Sequence, residues 1–520
     1  MYQQYNNNQT SLTLPIELGL PKGHIVYVIN AFIDSIPATV LYANESLIGR
    51  PQYSPATLLK ILLFAYSRQT FSGRMIEQMA QENLAMKYLI GDPDVVPSYR
   101  TINRFRSDPK NRSLIEIMYL YFRQSLINNG IINHEALFID GTKINADANK
   151  YSFIWRKSSE KFEARLDVKT KALYHDLIQE QVNVAMIAED DRTSVEALRT
   201  ANSALDQEIG QLDKEIAAEK PVVGGSAKKR QRRRLKKFQH LIQTDYLPRK
   251  QKYEEQQATF GDRNSYSKTD HDATFMRMKE DPMLNGQLKP GYNLQIATQS
   301  QFVLYYQVNQ RPTDQRTLIP FLEKIDFEQT PVNYIVADAG YGSEQNYAYI
   351  NETLNRKALI PYTMYRKEQT KRYRNDPQKF QNWHYNTGDD SYTDHHQIHF
   401  SFLKRTTRTD KYGYTRHYKV YQADEYGDPE KYYWSRTPKD HPRQISVNEN
   451  WQQQKETIRQ QLSSPEGGAI FAKRKIEDEP VFGNLKANLG FRRLAVRGLS
   501  AATNEIGIAL MAGNLKKLAQ

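Results

Sequence analysis

Two short apolar runs, 136–140 (ALFID) and 332–338 (VNYIVAD), each close on an aspartate, and a small residue follows each one, Gly141 and Ala339. Apolar runs of this length read as buried strands. After the first, Thr142, Ile144 and Ala146 alternate with polar residues. Two more strand candidates precede the second run, at 292–298 (YNLQIAT) and 302–309 (FVLYYQVN), and a helix is expected over 314–324. A helix over 344–354 and a short strand at 358–362 follow it. The order β-β-β-α-β-α-β makes a mixed α/β sheet with helices on its faces. If the two aspartate-closed strands are neighbours, Asp140 and Asp338 emerge side by side.

That element order is found in the ribonuclease-H-like nuclease core, and two long insertions interrupt it here. In the first, Val195, Asn202, Ile209 and Ile216 recur every seven residues, with Leu198, Leu205 and Leu212 three positions after the first three. This is a heptad seam with one polar position. PVVGGS (221–226) breaks the helix, and KKRQRRRLKK (228–237) opens the next with eight basic residues in ten. Leu235, Phe238, Leu241 and Ile242 give that second helix an apolar face, so a helical hairpin is expected. Its basic tract suits phosphates or a solvated face, and the seam suits the hairpin or a dimer interface. The second insertion is rich in Tyr, Arg, Lys and Asp and reads as strand and loop, with aromatic and basic residues interleaved as in single-strand binders. His395, His396 and His399 lie within it, without a cysteine or a well-spaced partner for zinc.

The N-terminal part reads as helical. Ser54-Pro55 is a cap with proline at the first helical position, ahead of the stripe Leu58, Leu59, Leu62, Leu63 and Tyr66. Further helices are expected after Ser72 and after Pro97-Ser98, the last carrying Arg100, Asn103, Arg104 and Arg106 as a helix-turn-helix reader would. The expected partition is 1–130, a helix-turn-helix-like DNA-binding domain; 131–157, the first part of the core; and 158–260, the hairpin insertion. It continues with 261–365, the second part of the core; 366–465, the Tyr/basic-rich insertion; and 466–520, the third part, bearing a glutamate helix.

Composition narrows the partner. The 520-residue chain carries a net charge of +13 and a pI near 9.3, which favours a polyanion. It has no cysteine, which excludes disulfides, thiolate zinc sites and cysteine nucleophiles. The start, MYQQYNNNQT, lacks the pattern of a signal peptide, and apolar runs such as 61–66 are too short to span a bilayer. A cytoplasmic protein that touches nucleic acid is expected.

Carboxylates brought together repel one another unless they share a cation. Mg²⁺, a hard ion with oxygen ligands, suits two aspartates and a phosphate. The segment FAKRKIEDEPVFGNLKANLGFRR reads as a helix with Glu479, Phe482 and Lys486 on one face. Glu479 would add a third hard ligand, with Lys486 and Arg474 near phosphates, but Glu477 and Asp478 compete and spacing alone does not choose among them.

Four motifs stand in order: FIDGTKINADANKYSFIWRK (138–157), YSKTDHDATFM (266–276), VADAGYGSEQNY (336–347) and KIEDEPVFGNLKANLGFRRLAVRGL (475–499). Together they resemble DDE transposases of bacterial insertion sequences. The N-terminal YSPATLLKILLFAYSR and TINRFR resemble the amino-terminal domain of the same subgroup. The resemblance implies a catalytic and metal-binding triad of Asp140, Asp338 and Glu479, and two Mg²⁺ ions, for which Mn²⁺ can substitute. It implies metal-assisted strand cleavage and strand transfer on double-stranded DNA, at the terminal inverted repeats and a target. It further implies DNA contacts at Arg100, Asn103, Arg104, Lys143, Arg474, Lys486, Arg492 and Arg493, assembly as a homodimer or higher on DNA, a nucleoid-associated location and no membrane. Phe471 stands where the related Tyr-Arg-Glu-Lys signature has tyrosine, and Arg474 is five rather than four residues before Glu479. A metal-dependent endonuclease without strand transfer and an inactive DNA-binding relative are the alternatives.

Overall fold

In the computed structural model, residues 19–42, 52–91, 96–185, 192–220, 226–278 and 286–520 are described. The polar start and most of the PVVGGS break lie outside them. The chain divides into two compact units, one formed by 1–144 and 293–520 and the other by 145–292.

The first unit is built on a mixed sheet. The Ala136–Asn145 strand lies between Leu288–Gln299 and Tyr334–Ala337. Phe302–Asn309 pairs antiparallel with the former, and Lys357–Leu359 runs parallel to the latter. This mixed sheet, flanked by helices, is a ribonuclease-H-like core. The expected helix over 314–324 is shorter, Leu318–Leu322, because Asp314–Thr317 forms a turn in which Thr317 Oγ1 donates to the Asp314 carbonyl. The helix at 344 is Glu344–Ala348, continued by a π-turn to Thr353.

The N-terminal helices Pro55–Ser67, Gly73–Glu82 and Tyr99–Ser107 start where the caps predict. A further helix, Leu84–Ile90, separates the last two. Of these, Pro55–Ser67 and Tyr99–Ser107 pack with Leu499–Leu518, which is buried on all sides from Ala501 to Ala512. That C-terminal helix also covers the edge strand Phe302–Asn309: Asn514 accepts from the Val303 amide at 2.9 Å and donates to its carbonyl at 2.8 Å. Gly507 is needed there, since a Cβ would collide with the Tyr306 hydroxyl.

The 366–465 insertion forms an antiparallel sheet of His384–Asn386, Ser391–Thr393, His399–Thr409, Thr415–Ala423 and Gln444–Val447, around a core of Ile398, Phe400, Tyr421, Ala423 and Val447. The strand-and-loop expectation fails at its end, where Glu449–Ser463 is a helix capped by Asn448. His396 stacks on Trp434, and His399 lies between Asp424 and Asp389 at 2.8 and 3.3 Å.

The second unit is mainly helical. Arg156–Gln179, Val195–Ala218 and Ala227–Leu241 pack together, the last continuing through a π-turn into Leu247–Phe260. The heptad residues Leu198, Leu205, Ile209 and Leu212 are buried against Leu166, Leu173, Leu177, Leu235 and Ile242 of the same chain. The seam is therefore used within the unit. Leu205→Ala is expected to cost about 2–5 kcal/mol of this unit's stability. Calorimetry would measure the loss, and sedimentation should show an unchanged mass; a dissociating oligomer would contradict the intramolecular seam. Trp155 packs edge-on against Phe153 in a short strand paired with Ser265–Ser267.

Candidate active site

The parallel register between Ala136–Asn145 and Tyr334–Ala337 pairs Phe138 with Val336 and Ile139 with Ala337. One step further along each chain stand Asp140 and Asp338. Local backbone fixes both carboxylates: the Gly141 amide donates to Asp140 Oδ1 at 2.7 Å, and the Gly340 amide donates to Asp338 Oδ1 at 2.8 Å. Asp140 is buried and Asp338 partly exposed. Arg474 Nη1 lies 3.9 Å from Asp140 Oδ2.

The glutamate segment departs from the expected single helix. Pro465–Glu477 ends at Asp478, Glu479–Gly483 starts anew, and Asn484–Asn488 is a π-turn. Pro480 supplies the reason, because it has no N–H to bond the carbonyl one turn back and its ring crowds that turn. Lys486 thus leaves the regular spacing from Glu479, and its side chain is buried. Glu479 is exposed at the head of its short helix, while Asp478 is fully buried. Thr298 Oγ1 donates to Asp478 Oδ1 at 2.8 Å, and Asp478 Oδ2 is buried without a hydrogen-bond partner among the described residues. Burial first, and then the charge of Asp140, pushes the Asp478 carboxyl up to about 8. Among the described residues, no three His, Asp or Glu side chains are grouped as a formed metal site.

Beneath the aspartates lies a polar floor that sequence reasoning missed. Tyr341 is fully buried, and its hydroxyl donates to Gln295 Oε1. Gln295 and Asn293 both donate to Asp314 Oδ1, at 3.1 and 2.7 Å. Burial, followed by the charges of Asp314, Asp140, Asp338 and Asp478, holds the Tyr341 hydroxyl far above its ordinary pKa, so it stays protonated. Gly141 has to be glycine, because a Cβ would meet Gln295, Tyr341 and Asp314. The available signal was Asn293 and Gln295 at i, i+2 in an otherwise apolar strand, on one face by the period of two.

The remaining residues are dispersed. Arg100 and Arg104 are exposed on the Tyr99–Ser107 helix, with Arg100 Nε donating to Tyr99 Oη at 3.2 Å. Asn103 accepts from Arg106 Nη2 at 2.7 Å and packs against Gly73. Lys143 is partly buried on the first strand, Arg492 donates to the Lys486 carbonyl at 2.9 Å, and Arg493 is exposed.

Asp140, within the Ala136–Asn145 strand, and Asp338, one residue past the end of Tyr334–Ala337, follow the paired residues of adjacent parallel strands in this ribonuclease-H-like sheet. The family model Transposase DDE domain matches residues 263–515, which include Asp338 and Glu479, and the model Transposase domain (DUF772) matches residues 15–108. The searches of curated proteins and of solved structures returned no match. The chain belongs to the DDE transposases. No helix among the described residues is long and apolar enough to cross a membrane.

Proposed function

We propose that this transposase binds the terminal inverted repeats of an insertion sequence and catalyses Mg²⁺-dependent DNA cleavage and strand transfer through Asp140, Asp338 and Glu479. The observation that carries the reading is the parallel register ending on Ile139 and Ala337, with both aspartates one step beyond. The donor set suits a hard cation: all three are carboxylates, and Asp140 and Asp338 directly follow the paired residues Ile139 and Ala337 of adjacent parallel strands. Mg²⁺ held by Asp140, Asp338 and Glu479 would stabilise charge on the phosphodiester and lower the pKa of an attacking water.

The protein's own groups do the positioning. The Gly141 and Gly340 amides hold one oxygen of each aspartate, which sets the directions of the others. Arg474, beside Asp140, would take a phosphate oxygen, and the protonated Tyr341 locks Gln295 in the floor. Water breaks one phosphodiester to leave a 5′-phosphate and a 3′-hydroxyl; that hydroxyl then attacks a target phosphorus, displacing the target strand's 3′-oxygen as a hydroxyl, and no covalent enzyme–DNA bond forms.

For end recognition, Arg100 and Arg104 are the proposed base readers, since Arg106 engages the Asn103 carbonyl oxygen. Arg104→Ala is expected to cost about 1–3 kcal/mol in binding to end DNA and little on random duplex, measured by competition gel shift. Equal loss on both probes would make Arg104 a phosphate contact.

The deciding experiment incubates labelled duplex from the DNA flanking the gene with wild type, Asp140→Asn, Asp338→Asn and Glu479→Gln, with Mg²⁺ or EDTA. Discrete cuts at the element ends, lost in the three variants and followed by a joined product, support transposition. Cuts without joining favour the endonuclease reading, and binding with no cleavage favours the inactive one.

A further inference from the structure

Seven of the eight cations in the basic tract of the Ala227–Leu241 helix separate into two sets, and the eighth, Lys229, is half-buried. Lys228 pairs with Glu215 and Glu219 at 2.9 and 3.8 Å, and Arg232 pairs with Asp213 at 2.5 Å. Lys236 lies 3.9 Å from Asp213, and Arg234 lies 2.7 Å from Glu180. These acids belong to the two neighbouring helices and their ends, so this set braces the hairpin. The second set is Arg230, Arg233 and Lys237, all exposed. Their spacing, i, i+3 and i+7, puts them on one face, opposite the buried Leu235. Among the described residues none of the three has an ion-pair partner.

We propose that Arg230, Arg233 and Lys237 form a stripe that tracks the backbone of duplex DNA, in addition to the contacts proposed for the active site and the N-terminal reading helix. The inference rests on the transposase reading only in taking DNA as the substrate. At 1.5 Å per residue the stripe covers about 10 Å. One strand of a duplex presents about three phosphates over that length, at 3.4 Å each. Leu235 is fixed in the core and the bracing pairs hold the neighbouring turns, so the stripe sits on a helix that needs no ordering to bind. Contacts of this kind position DNA without reading its sequence. The paired cations are already neutralised and contribute little to counterion release.

The test uses the full chain and a labelled duplex of random sequence, with affinity measured across a salt series. For the R230A/R233A/K237A variant, the slope of log affinity against log salt should fall in magnitude by about 2–3, with an unchanged thermal midpoint. Arg232→Ala, which removes a bracing pair, should lower the midpoint and leave the slope as in wild type. A triple variant with the wild-type slope overturns the proposal while the transposase reading stands. So does a slope change seen with single-stranded RNA but not with duplex DNA. If wild type shows no salt-dependent duplex binding at all, the DNA-substrate reading fails first, and the stripe with it.

Discussion

Asp338→Asn is expected to lower cleavage of end DNA at least ~10³-fold while changing end binding by no more than about twofold. The asparagine keeps the shape of the side chain, and its carbonyl oxygen can still accept from the Gly340 amide, which now donates to Asp338 at 2.8 Å. Only the charge is lost. Losing a ligand for catalytic cations forfeits several kcal/mol of transition-state stabilisation, and each 1.36 kcal/mol is a factor of ten. Gel shift and cleavage assays on the same preparation separate the two effects; parallel loss of both would argue against a catalytic Asp338. Asp478→Asn and Glu479→Gln belong in the same series. Glu479→Gln should match Asp338→Asn, whereas Asp478→Asn should retain most cleavage. The reverse result would move the third carboxylate to the buried position.

The second large effect concerns stability. Arg106 is buried and donates to Phe71 O at 2.6 Å, Asn103 Oδ1 at 2.7 Å, Tyr66 Oη at 3.0 Å and Glu505 Oε1 at 3.2 Å. Glu505 is fully buried, and although burial pushes its carboxyl above the usual range, Arg106 opposes that shift. Arg106→Met strands the carboxylate, and breaking a buried pair from one side costs about 3–5 kcal/mol. Domains have only about 5–15 kcal/mol in total, so the variant should unfold at a markedly lower urea concentration. Adding Glu505→Gln removes the stranded charge: its one oxygen can still accept from the Ala495 amide, which now donates at 2.8 Å, and its NH2 can donate to the Tyr66 hydroxyl oxygen, which now lies 3.0 Å from Glu505. That double variant should recover at least half of the loss. A single variant within about 1 kcal/mol of wild type would show that the pair is not a keystone.

The strands carrying Asp140 and Asp338 were legible because each is a closed apolar run, and the period of two and the closing aspartate survive in sequence. Ser54 and Ser98 marked two helix starts for an equally local reason: their side chains accept from Thr57 and Thr101 amides. The heptad seam was visible, but its partner was not, since burial against Leu166 or against another copy leaves the same pattern. The break at Asp478 was missed although Pro480 was in plain view, because the reading followed charge spacing through it. Asp478 itself read as one of three interchangeable acids; only the approach of Thr298 and Asp140 sets it apart. Least legible was Leu499–Leu518, where Asn504, Glu505 and Asn514 look like surface residues until Asp108, Tyr66 and Val303, 211 residues or more away in sequence, are known as their partners.

That C-terminal helix has a consequence for how the protein is made. The helices that begin at Pro55 and Tyr99 pack with Leu499–Leu518, so during synthesis their apolar faces stay uncovered until that helix has been made. A chain released early by a nonsense codon or a stalled ribosome would lack the cover for its amino-terminal helices, and degradation would remove it. Products that stop before Leu499 would therefore not accumulate as DNA-bound competitors of the transposase.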